Sequence, residues 1–124
     1  MKLGRYVLHH QLASGGMATV YLGRLQGAVG FTRTVAIKRL HEVYARNPEF
    51  VAMFLDEARL AARIQHPNVV ATLDVVATRG ELFLVMDHVA GETLARLMVE
   101  APNGLPVPLA VAVMTDSLHG LHAA

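Results

Sequence analysis

The chain has 124 residues, enough for one small domain with a modest core or a piece of a larger protein. Hydrophobic residues make up 53% of it and charged residues 17%, which excludes a disordered tail. The net charge of +1, with neither sign forming a run, gives no basis for nucleic acid or an anionic membrane as a partner. Because there is no cysteine, a disulfide framework, a thiolate nucleophile and a cysteine metal site are excluded.

The sequence contains no segment typical of export or membrane insertion. Its N-terminus lacks an apolar run of signal-peptide type. The longest apolar stretch, 105–114, contains two prolines and has about half of the ~20 residues that a membrane-spanning helix needs. We therefore expect a cytoplasmic protein with no membrane segment in this chain, and leave attachment through a further C-terminal part as an alternative.

The first part of the chain predicts an antiparallel sheet, since runs of β-branched, aromatic and aliphatic residues alternate with short turns. The expected strands are 5–12, 19–24, 32–40, 69–78 and 81–87. The turn between the first two strands holds Gly15 and Gly16, as in a hairpin. The last strand is apolar through its centre, which is typical of a strand covered on both faces.

Helices are predicted after the third strand and at the C-terminal end. The string Asn-Pro-Glu at 47–49 is a helix start, with an N-cap, a proline at the first helical position and an acid in the first turn. This helix should run to about Gln65. A second is expected over about 93–100, and a third over 108–124 that ends without a stop signal, so we expect that the sequence was cut from a longer one.

The composition changes at Gly91, and this position divides the chain into two predicted parts. Residues 1–90 should form a five-stranded antiparallel sheet with one helix, whereas residues 91–124 are predicted to be helical. We therefore predict an α+β fold with one complete lobe and the beginning of a helical second one.

The glycine turn is a candidate phosphate-binding loop. Gly15 and Gly16 lack the side chains that would keep backbone N–H groups away from phosphate oxygens. The turn joins two strands, whereas dinucleotide and Walker loops open a helix, so neither of those motifs applies. By itself the turn is equally consistent with a plain hairpin.

Lys38 lies near the end of the third predicted strand, as the last residue of the string Thr-Val-Ala-Ile-Lys at 34–38. The period-two alternation of a strand puts Ala36 and Lys38 on one face and Val35 and Ile37 on the other. The small Ala36 leaves room beside Lys38 for a flat group such as a purine ring. A lysine at a sheet edge that extends its ammonium group into water is the simpler alternative.

Glu57 lies nineteen residues after Lys38, on the predicted apolar stripe of the first helix. The stripe consists of Phe50, Met53, Phe54, Leu60, Ala61 and Ile64. Burying an ionised glutamate costs several kcal/mol unless it is paired, so we predict an ion pair between Glu57 and Lys38. A position at the margin of the stripe is the alternative.

Five motifs occur in an order that resembles the N-terminal lobe of the eukaryotic-like protein kinases. They are the glycine hairpin, Val-Ala-Ile-Lys, the helix glutamate, His-Pro-Asn-Val-Val at 66–70, and the segment 84–94. The string Gly-Gly-Met-Ala-Thr-Val-Tyr is most similar to the bacterial (Hanks-type) serine/threonine kinases. The resemblance covers essentially the whole chain. It implies ATP and Mg²⁺ as cofactors, and transfer of the γ-phosphate to a serine or threonine of a protein substrate in the full-length parent.

The resemblance also implies a role for each matching residue. Lys38 would hold the α- and β-phosphates, and Glu57 would fix Lys38. Val20 and Ala36 would cover the two sides of the adenine ring, and Met86 falls at the gatekeeper position. The other implied contacts are Leu12, Ala13, Ser14, Gly15 and Gly16 at the loop, the Asp87 carbonyl and Val89 amide at the hinge, and Glu92 near the ribose.

Two departures from the family pattern are visible. Ala13 and Ala18 stand where the family has its first and third loop glycines, so only the central one, Gly15, is kept. The family's catalytic loop and its magnesium-binding Asp-Phe-Gly would lie after Ala124. We therefore assign no catalytic base and no metal ligand, and expect this chain alone to be inactive. A non-catalytic nucleotide-binding or interaction fragment, pseudokinase-like or from a truncated reading frame, is the alternative.

Overall fold

A curled antiparallel sheet makes up the N-terminal part of the computed structural model, which describes residues 1–124. Its strands are β1 (Lys2–Leu3), β2 (Tyr6–Ser14), β3 (Ala18–Gln26), β4 (Thr32–Leu40), β5 (Thr72–Thr78) and β6 (Glu81–Asp87). Their order across the sheet is β1-β2-β3-β4-β6-β5, with every neighbouring pair antiparallel. All five predicted strands are present, and two of them, 32–40 and 81–87, have the predicted bounds.

The predicted strand count was one too low. The additional strand, β1, pairs with β2 through Lys2 opposite Val7 and Leu3 opposite Tyr6. Two residues are too few to produce an alternating pattern, so a strand of this length is not readable from the sequence.

The helices are α1 (Glu42–Ala45), α2 (Pro48–Ala62), α3 (Leu94–Val99) and α4 (Val107–Ala123). The predicted cap of α2 is confirmed, because the amide of Glu49 donates to Asn47 Oδ1 at 3.0 Å. Helix α2 ends before Gln65, where the prediction placed its end. The short α1 was not predicted, since a single turn carries no periodic signal.

The core lies on one face of the sheet. It consists of Leu3, Tyr6, Leu8, Val35, Ile37, Phe83 and Val85. Val35, Ile37, Phe83 and Val85 are completely buried. Their alternation along β4 and β6 leaves the intervening residues on the opposite face.

The curl of the sheet brings together two strands that are not neighbours. Tyr6 on β2 donates its hydroxyl hydrogen bond to Asp74 Oδ2 on β5 at 2.8 Å, although β3, β4 and β6 lie between these strands in the sheet. Arg5 Nη2 lies 3.6 Å from the same carboxylate oxygen. The bond closes the concave face over the core.

Helix α2 packs against β5 and α1 with a side that only partly matches the predicted stripe. Its only buried residue is Ala58, and Tyr44 of α1 contacts Phe50 edge-on at a ring distance of 4.8 Å. Met53 and Leu60, both on the predicted stripe, are 46% and 61% exposed. The predicted stripe was therefore only partly right. Phe50, Phe54 and Ala61 are half-buried as expected, but the helix is rotated so that Ala58 faces inward.

Helix α4 contacts the loop between α2 and β5 through Gly120. A side chain at Gly120 would place its Cβ 2.9 Å from the carbonyl oxygen of Asn68, so the close approach requires glycine. Asn68 Nδ2 also donates to the carbonyl oxygen of Asp116 at 3.0 Å. Leu109, Leu118 and Leu121 of α4 are exposed. No helix has the length and apolar character needed to cross a bilayer.

We expect Gly23→Ala to destabilise the sheet. A Cβ at Gly23 would lie 2.6 Å from Ile37 Cδ1 and 3.1 Å from the Val7 carbonyl oxygen. Overpacking of this kind lowers the free energy of unfolding by about 1–3 kcal/mol. Gly16→Ala is the matched control, since a Cβ there meets no atom within 4 Å. Urea denaturation followed by circular dichroism measures both, and equal midpoints for the two variants would contradict the prediction.

Stability should decline at alkaline pH partly through Tyr6. Burial, and then the hydrogen bond to Asp74, raise the pKa of the Tyr6 phenol above its ordinary value of 10.0. The folded state therefore holds this proton more tightly, and its contribution to stability is complete below pH 10 and is lost as pH rises through the folded-state pKa. Tyr6→Phe should be less stable at neutral pH and show a shallower alkaline decline. Parallel declines of the two proteins in denaturant titrations above pH 10 would refute this.

Candidate functional site

The face of the sheet opposite the core carries most of the predicted nucleotide residues. Val20 on β3 lies directly opposite Lys38 on β4, and Ala36 lies opposite Met86 on β6. Ala13 on β2 lies opposite Val20. Directly paired residues project from the same side of a sheet, with Cβ atoms about 4.5–5.5 Å apart. We call the surface formed by Ala13, Val20, Ala36, Lys38 and Met86 the open face.

The predicted division of β4 between two faces is confirmed. Val35 and Ile37 are fully buried in the core, whereas Lys38 on the open face is half-buried. The register adds Leu22, opposite Ala36, and Leu84, opposite Lys38. Sequence reasoning missed these two leucines, because their place beside the lysine depends on the register between strands.

The glycine turn, Gly15–Met17, connects β2 to β3 at one end of the open face. The amide of Gly15 donates to the Ala18 carbonyl oxygen at 2.9 Å, while the amides of Gly16 and Met17 donate to no protein acceptor. Neither glycine has a positive φ, and a Cβ at either would have no neighbour closer than 3.8 Å. The fold itself therefore does not require glycine at either position. Close approach of a ligand to the backbone would explain why glycine occurs here.

The departure from the family pattern at Ala13 is accommodated by the backbone. Ala13 lies in β2, pairs with Val20, and has no positive φ. An extended alanine is unstrained, so the missing first glycine leaves the hairpin intact.

The predicted ion pair between Lys38 and Glu57 is not formed, which corrects the expectation from the sequence. Glu57 is exposed, and no carboxylate oxygen lies within 4.0 Å of the Lys38 ammonium. Helix α2 packs on β5, and β6 separates β5 from the strand that carries Lys38. The inward position on α2 is taken by Ala58, one residue after the glutamate.

The predicted hinge residues follow Met86 at the other end of the open face. The amide of Asp87 donates to the Ala71 carbonyl oxygen at 3.0 Å, and its carboxylate accepts from Arg33 Nη2 at 2.5 Å. Val89 is 66% exposed, and its amide donates to no protein acceptor. The Glu92 side chain is also exposed and makes no hydrogen bond. Leu12, on β2, is exposed as well.

The histidines of α4 lie apart from the open face. A cavity of 310 Å³ is lined by His119 and His122 of α4 and by His66 of the loop before β5, together with Leu118 and Ala123. No three side chains in the structure are placed to hold a metal ion.

We expect Glu57→Gln to leave the stability of the unliganded chain unchanged within about 0.5 kcal/mol, because the side chain is exposed and unpaired. Glu81→Gln is the comparison, since Glu81 pairs with Arg39 and should contribute about 0.5–1 kcal/mol. Chemical denaturation at low salt measures both. A loss of about 3 kcal/mol for Glu57→Gln would instead indicate a buried, paired glutamate.

Comparisons with known proteins agree with this arrangement. Residues 6–122 match the family model for protein tyrosine and serine/threonine kinases. The chain is 44% identical over 124 residues to tyrosine-protein kinase MasK of Myxococcus xanthus (strain DK1622) and 38% identical over 120 residues to serine/threonine-protein kinase PknL of Mycobacterium tuberculosis. The kinase domain of Mycobacterium tuberculosis PknI superposes on it with a TM-score of 0.81 at 29% identity.

The chain therefore belongs to the protein tyrosine and serine/threonine kinase family. The alignments cover 98% and 97% of this chain, but only 19% of MasK and 29% of PknL. The superposition covers 99% of this chain and 49% of the PknI kinase domain. The chain thus spans less than a third of these curated relatives. Its fold is that of a kinase N-lobe followed by helices of the second lobe, with one strand more than predicted.

Proposed function

We propose that this chain is the ATP-binding part of a bacterial-type protein serine/threonine kinase. The full-length protein would transfer the γ-phosphate of ATP to serine or threonine hydroxyls of a protein substrate. We propose that this reaction takes place in the cytoplasm. Kinases whose alignments span nearly the whole chain support this function over a non-catalytic interaction fragment.

The linear order of chemical groups along the open face carries the proposal. At one end, the free amide of Val89 is suited to the polar edge of a base. Next, Ala36 and Met86 form an apolar row opposite each other, suited to the flat faces of a base. Lys38 follows two residues along β4, and the strand then reaches Leu40, which pairs with Ala18 beside the glycine turn.

The dimensions of the strand support a nucleoside triphosphate over a smaller anion. Leu40 lies four positions after Ala36, which corresponds to about 13 Å at the rise of a β-strand. Over this distance the surface changes from apolar side chains to one cation and the unpaired amides of Gly16 and Met17. A ligand with an aromatic group at one end and phosphates at the other matches that change.

Lys38 supports phosphate binding because its ammonium has no carboxylate partner. In the proposed complex, Lys38 and the turn amides would donate to phosphate oxygens, as charge-assisted and neutral hydrogen bonds respectively. Glu57 would pair with Lys38 only after a movement of α2 toward β4. We propose this pairing for the full-length protein, since α2 lies on β5 in the present structure.

The open face offers no magnesium site of its own. Mg²⁺ prefers carboxylate and water oxygens, but the strand carboxylates Asp74, Glu81 and Asp87 all bond arginine or tyrosine side chains on the core side of the sheet. We propose that the ligands of Mg²⁺ and the catalytic base come from other parts of the full-length protein. The isolated chain should then transfer no phosphate.

The substitution of Lys38 tests the nucleotide site. Lys38→Met should weaken ATP binding by about 10- to 100-fold, the factor that loss of a charge-assisted hydrogen bond produces. Lys2→Met is the matched control, because Lys2 is the only other lysine and lies on the edge strand β1. Calorimetric titration with ATP measures both affinities. Unchanged affinity in Lys38→Met, or no ATP binding by the folded wild-type chain, would overturn the proposed site.

The amino acid that accepts the phosphate is a separate part of the proposal, since one relative favours tyrosine as a second candidate. MasK, at 44% identity, is named a tyrosine kinase, whereas PknL, at 38%, is named a serine/threonine kinase. We propose serine or threonine because the loop string resembles that group. Phosphoamino-acid analysis of substrate labelled by the full-length protein decides this, and predominant phosphotyrosine would favour the second candidate.

A further inference from the structure

Apart from the phenol of Tyr6, Thr19 is the one buried side chain with a polar group, with 8% of its surface exposed. A buried hydroxyl without a partner is costly, so its partners indicate what the residue does. Its Oγ1 lies 3.1 Å from Ser14 Oγ and 2.9 Å from His41 Nε2. The three side chains form one continuous hydrogen-bonded chain.

This chain joins the glycine turn to the start of α1. Ser14 and Thr19 form the pair of the β2–β3 ladder that lies nearest to the turn. His41 follows β4, and its carbonyl oxygen accepts from the amides of Tyr44 and Ala45 in α1. The amide of His41 donates to the carbonyl oxygen of Met17 at 2.8 Å. His41 therefore holds the turn by a backbone bond at its tip and a side-chain bond at its base.

The contacts lie on the side of the hairpin away from the ligand. Thr19 pairs with Arg39, and so projects toward the core side, whereas Val20 and Ala18 project to the other side. Contacts from behind leave the amides of Gly16 and Met17 free for a ligand. Because glycines make a turn flexible, a turn fixed in this way loses less conformational entropy when a ligand binds.

We propose that His41 is a positioning residue that holds the glycine turn over the open face through Thr19. The inference extends the proposed nucleotide site and rests on it for its effect on ATP affinity. The positioning itself needs no nucleotide, so it is measured separately. The amide of Gly15, bonded to Ala18, reports whether the turn is held.

The experiment compares amide hydrogen exchange at Gly15 in paired variants of the chain without nucleotide. His41→Leu and Thr19→Val should each reduce the protection of the Gly15 amide about tenfold, the effect of losing one net hydrogen bond. The double variant should lose little more than either single variant, since both break the same chain. His41→Gln and Thr19→Ser keep polar atoms at these places and should restore protection.

A variant destabilised elsewhere distinguishes positioning from general stability. Tyr6→Phe removes a side-chain hydrogen bond far along the sheet and should leave exchange at Gly15 close to that of the wild type. Equal loss of protection in Tyr6→Phe and His41→Leu, or failure of both conservative variants to restore it, would overturn the inference.

ATP titrations of the same variants connect the positioning to binding. We expect His41→Leu to weaken ATP affinity about five- to tenfold, with recovery in His41→Gln. Faster Gly15 exchange in a chain whose wild type binds no ATP would support the positioning role and overturn the proposed function. ATP binding with unchanged exchange and affinity in His41→Leu would support the proposed function and overturn the positioning role.

Discussion

The complete burial of Val35 and Ile37 is the constraint from which the candidate site follows. Both side chains fill the core with Phe83 and Val85, so β4 has only one possible orientation in the sheet. A shift by one residue would bring Lys38 into the core and expose Ile37, at the cost of burying an unpaired cation. The hydrophobic core therefore determines where Lys38 lies, and the hydrogen-bonded register then brings Val20 and Leu84 beside it.

The glycines separate into those that the fold requires and those that it does not. Gly23 and Gly120 lie where a Cβ would meet other atoms at 2.6 and 2.9 Å, so packing explains them. Gly15 and Gly16 have no such neighbours and no unusual backbone angle. Their place, beside unpaired amides and held from behind through Thr19, supports a role in ligand binding. Local structure by itself would tolerate alanine at both.

The helix that carries Glu57 illustrates where inference from a sequence fails. Helix α2 is apolar around much of its circumference, so the pattern is compatible with two orientations that differ by one residue. The apolar spacing predicted the orientation with Glu57 inward, and the resemblance to kinases implied the same position for Glu57. In the structure Ala58 faces inward, and Lys38 has no anionic partner. Contact with β5, not the helix sequence, decides which side is buried.

The sequence by itself determined the family, the five longer strands, the cap of α2 and the two faces of β4, because periodicity and caps act within a few residues. Only the tertiary structure decided the rotation of α2, the strand β1, the Tyr6–Asp74 bond and the contact of His41 with Thr19. The partners in these last two contacts are 68 and 22 residues apart, respectively. Such contacts depend on how the sheet curls and on which strand ends lie beside each other. No local sequence pattern predicts either.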